Sequence, residues 1–90
     1  MSQAIVDPGE VRRFAQQLKQ FTGELLNQMS SIQRQLSGLG GTWRDQEHKK
    51  FQEDFEQQMQ VLRRFTESTN QYVPFLIRKA ERVEEYLQQR

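Results

Sequence analysis

Apolar residues recur every three or four positions along two stretches of the chain, which is the spacing of one face of an α-helix. In the first stretch this stripe consists of Val11, Phe14, Leu18, Phe21, Leu25, Ile32 and Leu39, with Gln28 as its polar interruption. In the second stretch it consists of Phe51, Phe55, Gln58, Leu62, Phe65, Thr69, Tyr72, Leu76, Lys79, Val83 and Tyr86. The spacing predicts two long amphipathic helices and no β-strand.

Residues with known preferences for helix ends bound the two helices. The first helix is predicted over residues 8–37, because Asp7 suits the N-cap and Pro8 the first helical position. The second helix is predicted over residues 43–88, after a turn at residues 38–42. The chain is therefore expected to fold as one helical-hairpin domain over residues 1–90.

The turn is rich in residues that end one helix and start another. Gly38, Gly40 and Gly41 allow the positive φ angles found at helix C-termini and in tight turns. Thr42 suits the N-cap of the second helix, and Asp45 favours the positive end of its dipole.

Pro74 falls inside the second helical stretch, where it either ends the helix or kinks it. The heptad spacing continues through it, from Tyr72 to Leu76 to Val83. A true break normally resets that spacing, and Val73 is a poor cap for a new helix. The pattern favours one helix that is kinked near residue 74.

Two helices joined by a short turn lie antiparallel, so the two stripes are expected to face each other. Matching them places Phe21 opposite Leu62 and residue 8 opposite residue 75. Residues 76–90 then project beyond the first helix, and their apolar side chains need a partner outside the chain.

A second apolar set lies beside the stripes and is expected to form an interface between chains. It consists of Leu26, Met59, Val73 and Ile77, and the interface candidates also include four residues of the projecting segment: Leu76, Val83, Tyr86 and Leu87. Closed two-fold symmetry is the commonest arrangement of identical chains. The fold class predicted is thus all-α, an antiparallel helix-turn-helix hairpin that dimerises into an elongated four-helix bundle.

Composition narrows the function. The 90 residues are 34% hydrophobic and include no Cys, so a thin apolar seam is expected rather than a thick core. The 13 basic and 12 acidic residues nearly cancel, which argues against a nucleic-acid partner. No apolar run approaches the ~18 residues of a membrane span, so no stable membrane insertion is expected. The start, MSQAIVDPGE, is not an ordinary signal peptide.

Side chains for catalysis or metal binding are sparse. His48 is the one histidine, and its neighbour Glu47 points to a different face of the helix. We interpret His48 as a residue of the hairpin end. The sequence predicts no catalytic, cofactor-binding or metal site, and hence no enzyme.

Trp43, the single tryptophan, lies at the turn with Gly40, Gly41 and Asp45. One interpretation is that the indole plugs the open end of the seam. The other is that it docks onto a partner, since Trp is enriched at interface hot spots. The sequence leaves both open.

The chain resembles the WXG100 family, small helical-hairpin substrates of type VII secretion. Its length, its two amphipathic helices and the Gly-bounded Trp43 carry the resemblance, together with Phe51, Phe55 and Tyr86. Asp45 stands where the family's Trp-x-Gly motif has Gly. Arg90 stands four residues after Tyr86, where the family's export signal has an acidic residue.

The resemblance implies pairing with a second copy or a paralogous small helical protein, and recognition by a secretion ATPase. It also implies residence in the cytoplasm before export, and secretion without a cleaved signal peptide. The role would be that of a secretion substrate, a co-secreted partner or a machine component. The alternative is an intracellular helical adaptor or structural coiled-coil module that is not exported.

Overall fold

Two long helices account for most of the computed structural model, which describes residues 6–88. Helix α1 is Pro8–Leu39 and helix α2 is Gln46–Gln88, and within residues 6–88 there is no strand. The helices pack side by side in opposite directions, and the hairpin measures 69 × 18 × 15 Å. The predicted all-α hairpin is confirmed. Residues 1–5 and 89–90, which include Arg90 and the first half of the MSQAIVDPGE segment, lie outside the described residues.

The N-terminus of α1 is closed by Asp7. Its backbone is extended, with φ −82° and ψ 109°, and its Oδ1 accepts hydrogen bonds from the amides of Gly9 (2.9 Å) and Glu10 (3.3 Å). These bonds satisfy two of the amides that lack a partner in the first turn of any helix. Pro8, which has no amide hydrogen to satisfy, takes the first helical position.

The turn differs from the one expected at residues 38–42. Helix α1 continues to Leu39, and Gly40 after it has right-handed helical angles, φ −59° and ψ −16°. No glycine among residues 6–88 has a positive φ, so the expectation of left-handed glycines is wrong. The chain leaves the helix through short-range bonds instead, because the amides of Thr42 and Trp43 both donate to the Leu39 carbonyl, at 2.9 and 2.7 Å.

Helix α2 begins at Gln46, three residues later than expected, and its cap is Asp45 rather than Thr42. The Asp45 carboxylate accepts a hydrogen bond from the His48 amide at 2.9 Å. The Thr42 hydroxyl instead donates to the carbonyl of Leu39 at 3.4 Å. Asp45 therefore satisfies a free amide and adds negative charge at the positive end of the helix dipole.

The seam between the helices differs from the predicted stripe. At every second position of the stripe, the residue buried between the helices is the next one along the chain. The buried residues of α1 follow each other at intervals of seven and are Ala15, Thr22, Met29 and Leu36. Those of α2 are His48, Met59, Thr66, Thr69 and Ala80. The prediction placed Phe14, Phe21, Phe65 and Lys79 at positions that the structure gives to their next neighbours.

Side-chain size explains the shift. Ala15 and Ala80 have no exposed surface, and Thr22 retains 1%. Small side chains at these positions let the two backbones approach closely, whereas a phenyl ring there would hold them apart. Phe14 and Phe21 consequently lie beside the seam and remain 54% and 50% exposed.

Helix α2 has 43 residues against 32 in α1 and is therefore the longer of the two, but the predicted overhang of residues 76–90 begins too early in the chain. Arg12 near the start of α1 binds Glu84 near the end of α2, and Ala80 is fully buried. The prediction had placed residue 8 opposite residue 75 because it paired the wrong sides of the two helices. With the correct seam, α2 contacts the first turns of α1 as far along as Ala80 and Glu84.

Pro74 lies inside α2, which the structure describes as one helix from Gln46 to Gln88. Proline has no amide hydrogen, so the carbonyl of Asn70 lacks the usual helical donor four residues later. Beside it, the Asn70 side-chain Oδ1 lies 2.8 Å from the Thr22 hydroxyl of α1. This cross-helix contact holds α2 against α1 where its own ladder is weakest.

Candidate interaction surface

The two long edges of the seam differ in chemistry. Along one edge, which we call the polar flank, side chains of α1 reach polar partners on α2. Its contacts are Arg12 with Glu84, Thr22 with Asn70, and Gln33 with Glu56. They hold the helices together from one side.

The strongest contact of the polar flank is a two-point ion pair. Arg12 donates from Nε to Glu84 Oε2 at 2.9 Å and from Nη2 to Oε1 at 2.7 Å. The hydrogen bonds from Arg12, helped by its charge, lower the pKa of Glu84, and those to Glu84 raise the pKa of Arg12. Both side chains remain about one third exposed, at 38% and 35%, so solvent and salt screen the attraction.

The opposite edge is apolar and largely unburied. We call it the apolar face and define it by half-exposed residues on that side of both helices. They are Phe14 and Phe21 of α1 with Phe51, Val61, Phe65, Tyr72, Phe75 and Tyr86 of α2. Their exposed fractions run from 47% for Phe51 and Phe65 to 67% for Tyr86.

Helical geometry and one ring contact place these residues on a common side. In an antiparallel pair, a residue one position before a seam residue points to the same side on both helices. Phe21 and Phe65 both hold such positions, and their rings meet edge to face, with centroids 6.5 Å apart. The two helices therefore share the apolar face at the level of Phe21 and Phe65.

The interface candidates taken from the sequence are divided among three places. Tyr86 belongs to the apolar face, and Leu87 beside it is 42% exposed. Met59 is 6% exposed and lies inside the hairpin, so it offers almost no surface to a partner. Leu26 lines a groove of about 430 Å³ on the polar flank. The remaining candidates are partly buried: Val73, Leu76, Ile77 and Val83.

Sequence reasoning had placed every aromatic residue of the two helices except Phe75 inside the seam, and it had left Val61 and Phe75 in neither set. The missed signal was in the predicted stripes, which contain Gln28, Gln58 and Lys79. The next residue in each case is Met29, Met59 or Ala80, which are apolar and buried. When Met29, Met59 and Ala80 take the places of these three residues, the stripes contain no charged residue.

The turn end of the hairpin carries a second cluster, built around Trp43. The indole is partly buried, and its ring centroid lies 4.7 Å from that of His48 and 6.1 Å from that of Phe51. Gly40, Trp43 and Asp45 line an open groove of about 410 Å³. Trp43 thus packs against the buried His48 at the end of the seam and remains partly exposed, so the plug and docking interpretations are compatible.

Arg44 and His48, which lie near the indole, have different structural roles. Arg44 donates from Nε to the Gly40 carbonyl (3.1 Å) and from Nη2 to the Gly41 carbonyl (3.4 Å). The positive charge of Arg44 is favourable at these carbonyls, because the C-terminal end of α1 is the negative end of the helix dipole. His48 is 8% exposed, and its Nε2 has no hydrogen-bond partner. His48 is a buried residue of the seam at the hairpin end.

Metal-binding clusters are lacking in the described part of the chain, where no three His, Cys, Asp or Glu residues are grouped to hold an ion. A search of residues 6–88 found no helix with the length and hydropathy needed to cross a membrane.

Among the comparisons with known proteins, a family model indicates the family of the chain and two solved structures share its fold. A family model described as "Proteins of 100 residues with WXG" matches residues 3–88. A crystal structure of secreted protein EsxB from Bacillus anthracis str. Sterne superposes with a TM-score of 0.80 at 23% identity, over 96% of this chain and 98% of that one. A single-residue mutant of that protein gives 0.79 at 24% identity, over 94% and 98%. No curated protein matches the sequence.

Proposed function

Because the chain belongs to the WXG100 family, we propose that it is a non-catalytic protein-interaction module of a type VII-like secretion system. In this role it is an exported substrate, a co-secreted partner or a component of the machine. It resides in the cytoplasm before export and leaves without a cleaved signal peptide. The EsxB protein of the same fold is described as secreted, which supports this proposal.

The apolar face is the observation that carries the proposal. An exposed strip of large apolar residues on a small soluble chain marks a protein-binding surface. Full burial of a Phe side chain is favourable by roughly 1.5–3 kcal/mol, so a half-exposed ring has ~1 kcal/mol still to gain. Association costs roughly 4–15 kcal/mol, and one or two rings cannot offset that. Eight such residues on each copy can.

The proposed partner of this face is a second hairpin, which completes a four-helix bundle. It is either a second copy of the chain or a paralogous small helical protein. The interface runs along Phe21, Phe65 and Tyr72, and it includes Tyr86 from the set taken from the sequence. The candidates that are buried in the hairpin or lie on its polar flank contribute less than was expected of them.

The turn end is the proposed contact for a larger component, such as a secretion ATPase. Trp43 keeps part of its indole exposed, and Gly40 and Asp45 border the same groove. Gly41 lies in the turn beside them without lining it. Trp is well suited to docking because one ring contributes a large apolar area and one donor.

Two substitutions test the proposal. Phe65→Glu should place a charge in the interface and yield monomers in sedimentation equilibrium, whereas Arg64→Glu on the outer surface should leave dimers intact. Trp43→Phe should preserve the hairpin, as judged by circular dichroism, and reduce export by a cell with a type VII system. Unchanged assembly of Phe65→Glu, or undiminished export of Trp43→Phe, would contradict the respective assignment.

The alternative function, an intracellular helical adaptor, is favoured by one sequence observation. Arg90 follows Tyr86 at the position where the family's export signal carries an acidic residue. An epitope-tagged chain should appear in the culture medium only when the secretion ATPase is active. A chain found solely inside cells, with the ATPase active and a known substrate exported, would favour the adaptor.

A further inference from the structure

Helix α2 carries a second heptad stripe, distinct from the seam and made of exposed residues. Its positions alternate in steps of three and four along the apolar face. They are Phe51, Asp54, Gln58, Val61, Phe65, Ser68, Tyr72, Phe75, Lys79, Arg82 and Tyr86, all exposed in the hairpin. A regular stripe of this kind is the pattern of a helix that packs along another helix.

The stripe is symmetric in chemistry about Ser68. Val61 and Phe75 lie seven residues before and after it, and both are large and apolar. Phe65 and Tyr72, at three before and four after, are both aromatic, as are Phe51 and Tyr86 near the two ends of the stripe.

The charged positions of the stripe reverse sign across the same centre. Asp54 lies fourteen residues before Ser68 and Arg82 fourteen residues after it. The next polar position inward is Gln58 on the acidic side and Lys79 on the basic side. The half before Ser68 therefore carries one acidic residue, and the half after it carries two basic residues.

We propose that a second copy of this chain packs on the stripe with its α2 antiparallel and the two-fold axis beside Ser68. Asp54 of each copy then pairs with Arg82 of the other, with Lys79 close by, and these charges select the partner and its direction. The inference rests on the proposed function, in which a helical hairpin covers the apolar face.

The geometry allows both charge pairs to form at once. With a rise of about 1.5 Å per residue, Asp54 and Arg82 are ~42 Å apart along α2. The hairpin is 69 Å long, so two copies centred on Ser68 overlap at both positions. Between the two pairs, Phe65 of each copy meets Tyr72 of the other, and Val61 meets Phe75.

Other arrangements bring like charges together. A parallel pair of α2 helices places Asp54 beside Asp54 and Arg82 beside Arg82, and such contacts disfavour the complex. A hairpin without the same charge order leaves at least one of these side chains without its counter-charge. Charges at an exposed edge affect choice of partner more than total affinity.

The first experiment reverses single charges and measures the dimer dissociation constant at low salt. Asp54→Arg and Arg82→Asp should each weaken self-association by about 3- to 30-fold, since each homodimer then contains two like-charge contacts. An equimolar mixture of the two variants should recover wild-type affinity, because both contacts are again between opposite charges. Glu53→Arg makes the same charge change off the stripe and should have little effect.

The second experiment uses disulfide trapping, for which the absence of native cysteine makes the chain suitable. A mixture of Asp54→Cys and Arg82→Cys chains should cross-link to each other under mild oxidation, and each variant alone should not. Ser68→Cys chains should cross-link at the two-fold axis.

The results separate the inference from the function on which it rests. Wild-type dimers whose affinity is insensitive to both reversals, or Asp54→Cys chains that cross-link among themselves, would overturn the antiparallel register and leave the dimer standing. A wild-type chain that stays monomeric would overturn the proposed use of the apolar face as well. Recovery in the mixture together with cross-linking between positions 54 and 82 would support both.

Discussion

Ala80 gives the sharpest test of the seam, because the sequence-based pairing and the structure assign it opposite surroundings. The first pairing placed it beyond the end of α1, in contact with nothing in its own chain. In the structure it has no exposed surface and faces the N-terminal half of α1. Ala80→Leu adds three carbon atoms at a site without room for them.

The expected cost follows from that lack of space. Extra methylene groups in a well-packed interior cost about 1–3 kcal/mol. Leu and Ala have similar helix propensities, so little of the cost arises from the backbone. For a domain of 60–100 residues, each kcal/mol lowers Tm by roughly 4–8 °C. Ala80→Leu should therefore melt at least several degrees below the wild type.

Glu81→Leu is the matched control, since it introduces the same side chain at the next, exposed position. Surface substitutions of this kind usually stay within about 0.5 kcal/mol of the wild type. Both variants are to be melted at several protein concentrations, followed by circular dichroism at 222 nm. An Ala80→Leu variant as stable as Glu81→Leu at every concentration would refute the close packing of the two helices at this level.

Further substitutions test the caps, the polar flank and the buried imidazole. Asp45→Ala should lower the free energy of unfolding by about 0.5–2 kcal/mol, whereas Thr42→Ala should change it little, as measured by urea titration. Because Arg12 lowers the pKa of Glu84, their pair should stabilise the hairpin at neutral pH and cease to do so as the pH falls through that lowered pKa. Arg12→Gln should therefore lose less stability than the wild type on acidification. His48→Leu removes a buried nitrogen without a partner, so stability should be unchanged or rise by ~1 kcal/mol.

The sequence predicts the two helices, but it does not show which side of each helix packs against the other. The three-four spacing predicted two helices, and Asp7 with Pro8 located the start of the first. Choosing the larger of two neighbouring side chains then placed Phe21 in the seam instead of Thr22. Hydrophobicity favours the ring, but close approach of two backbones favours the smaller residue, and in a two-helix fold the second effect prevails.

The same choice caused the error about the end of α2. When the wrong sides of the two helices are paired, the residues that lie opposite each other along the helices also change. The prediction therefore left residues beyond 75 without a partner in the chain. The contact between Arg12 and Glu84 spans 72 positions of sequence, and no local pattern reveals it. The choice of Thr42 as cap had a similar cause, since Thr42 and Asp45 both suit an N-cap and only the path of the turn decides between them.

The sequence predicted the apolar character of the interaction surface but not its location on the helices. An excess of apolar residues over what one seam can bury predicted exposed apolar surface, and the apolar face provides such surface, whereas its use by a partner stays a prediction. Its location required the seam to be known first, because Phe65 and Thr66 exchange roles when the phase shifts by one residue. The symmetry about Ser68 was hidden for the same reason, since half of its members had been assigned to the hairpin interior.

The most direct test of this account is the mass of the purified wild-type chain in solution, measured by light scattering behind size-exclusion chromatography at micromolar concentration. A second copy on the apolar face predicts a particle with twice the 10.8 kDa mass of the chain. That particle should dissociate on dilution and melt at a temperature that rises with concentration. A stable, folded particle of 10.8 kDa whose melting temperature does not depend on concentration would contradict it.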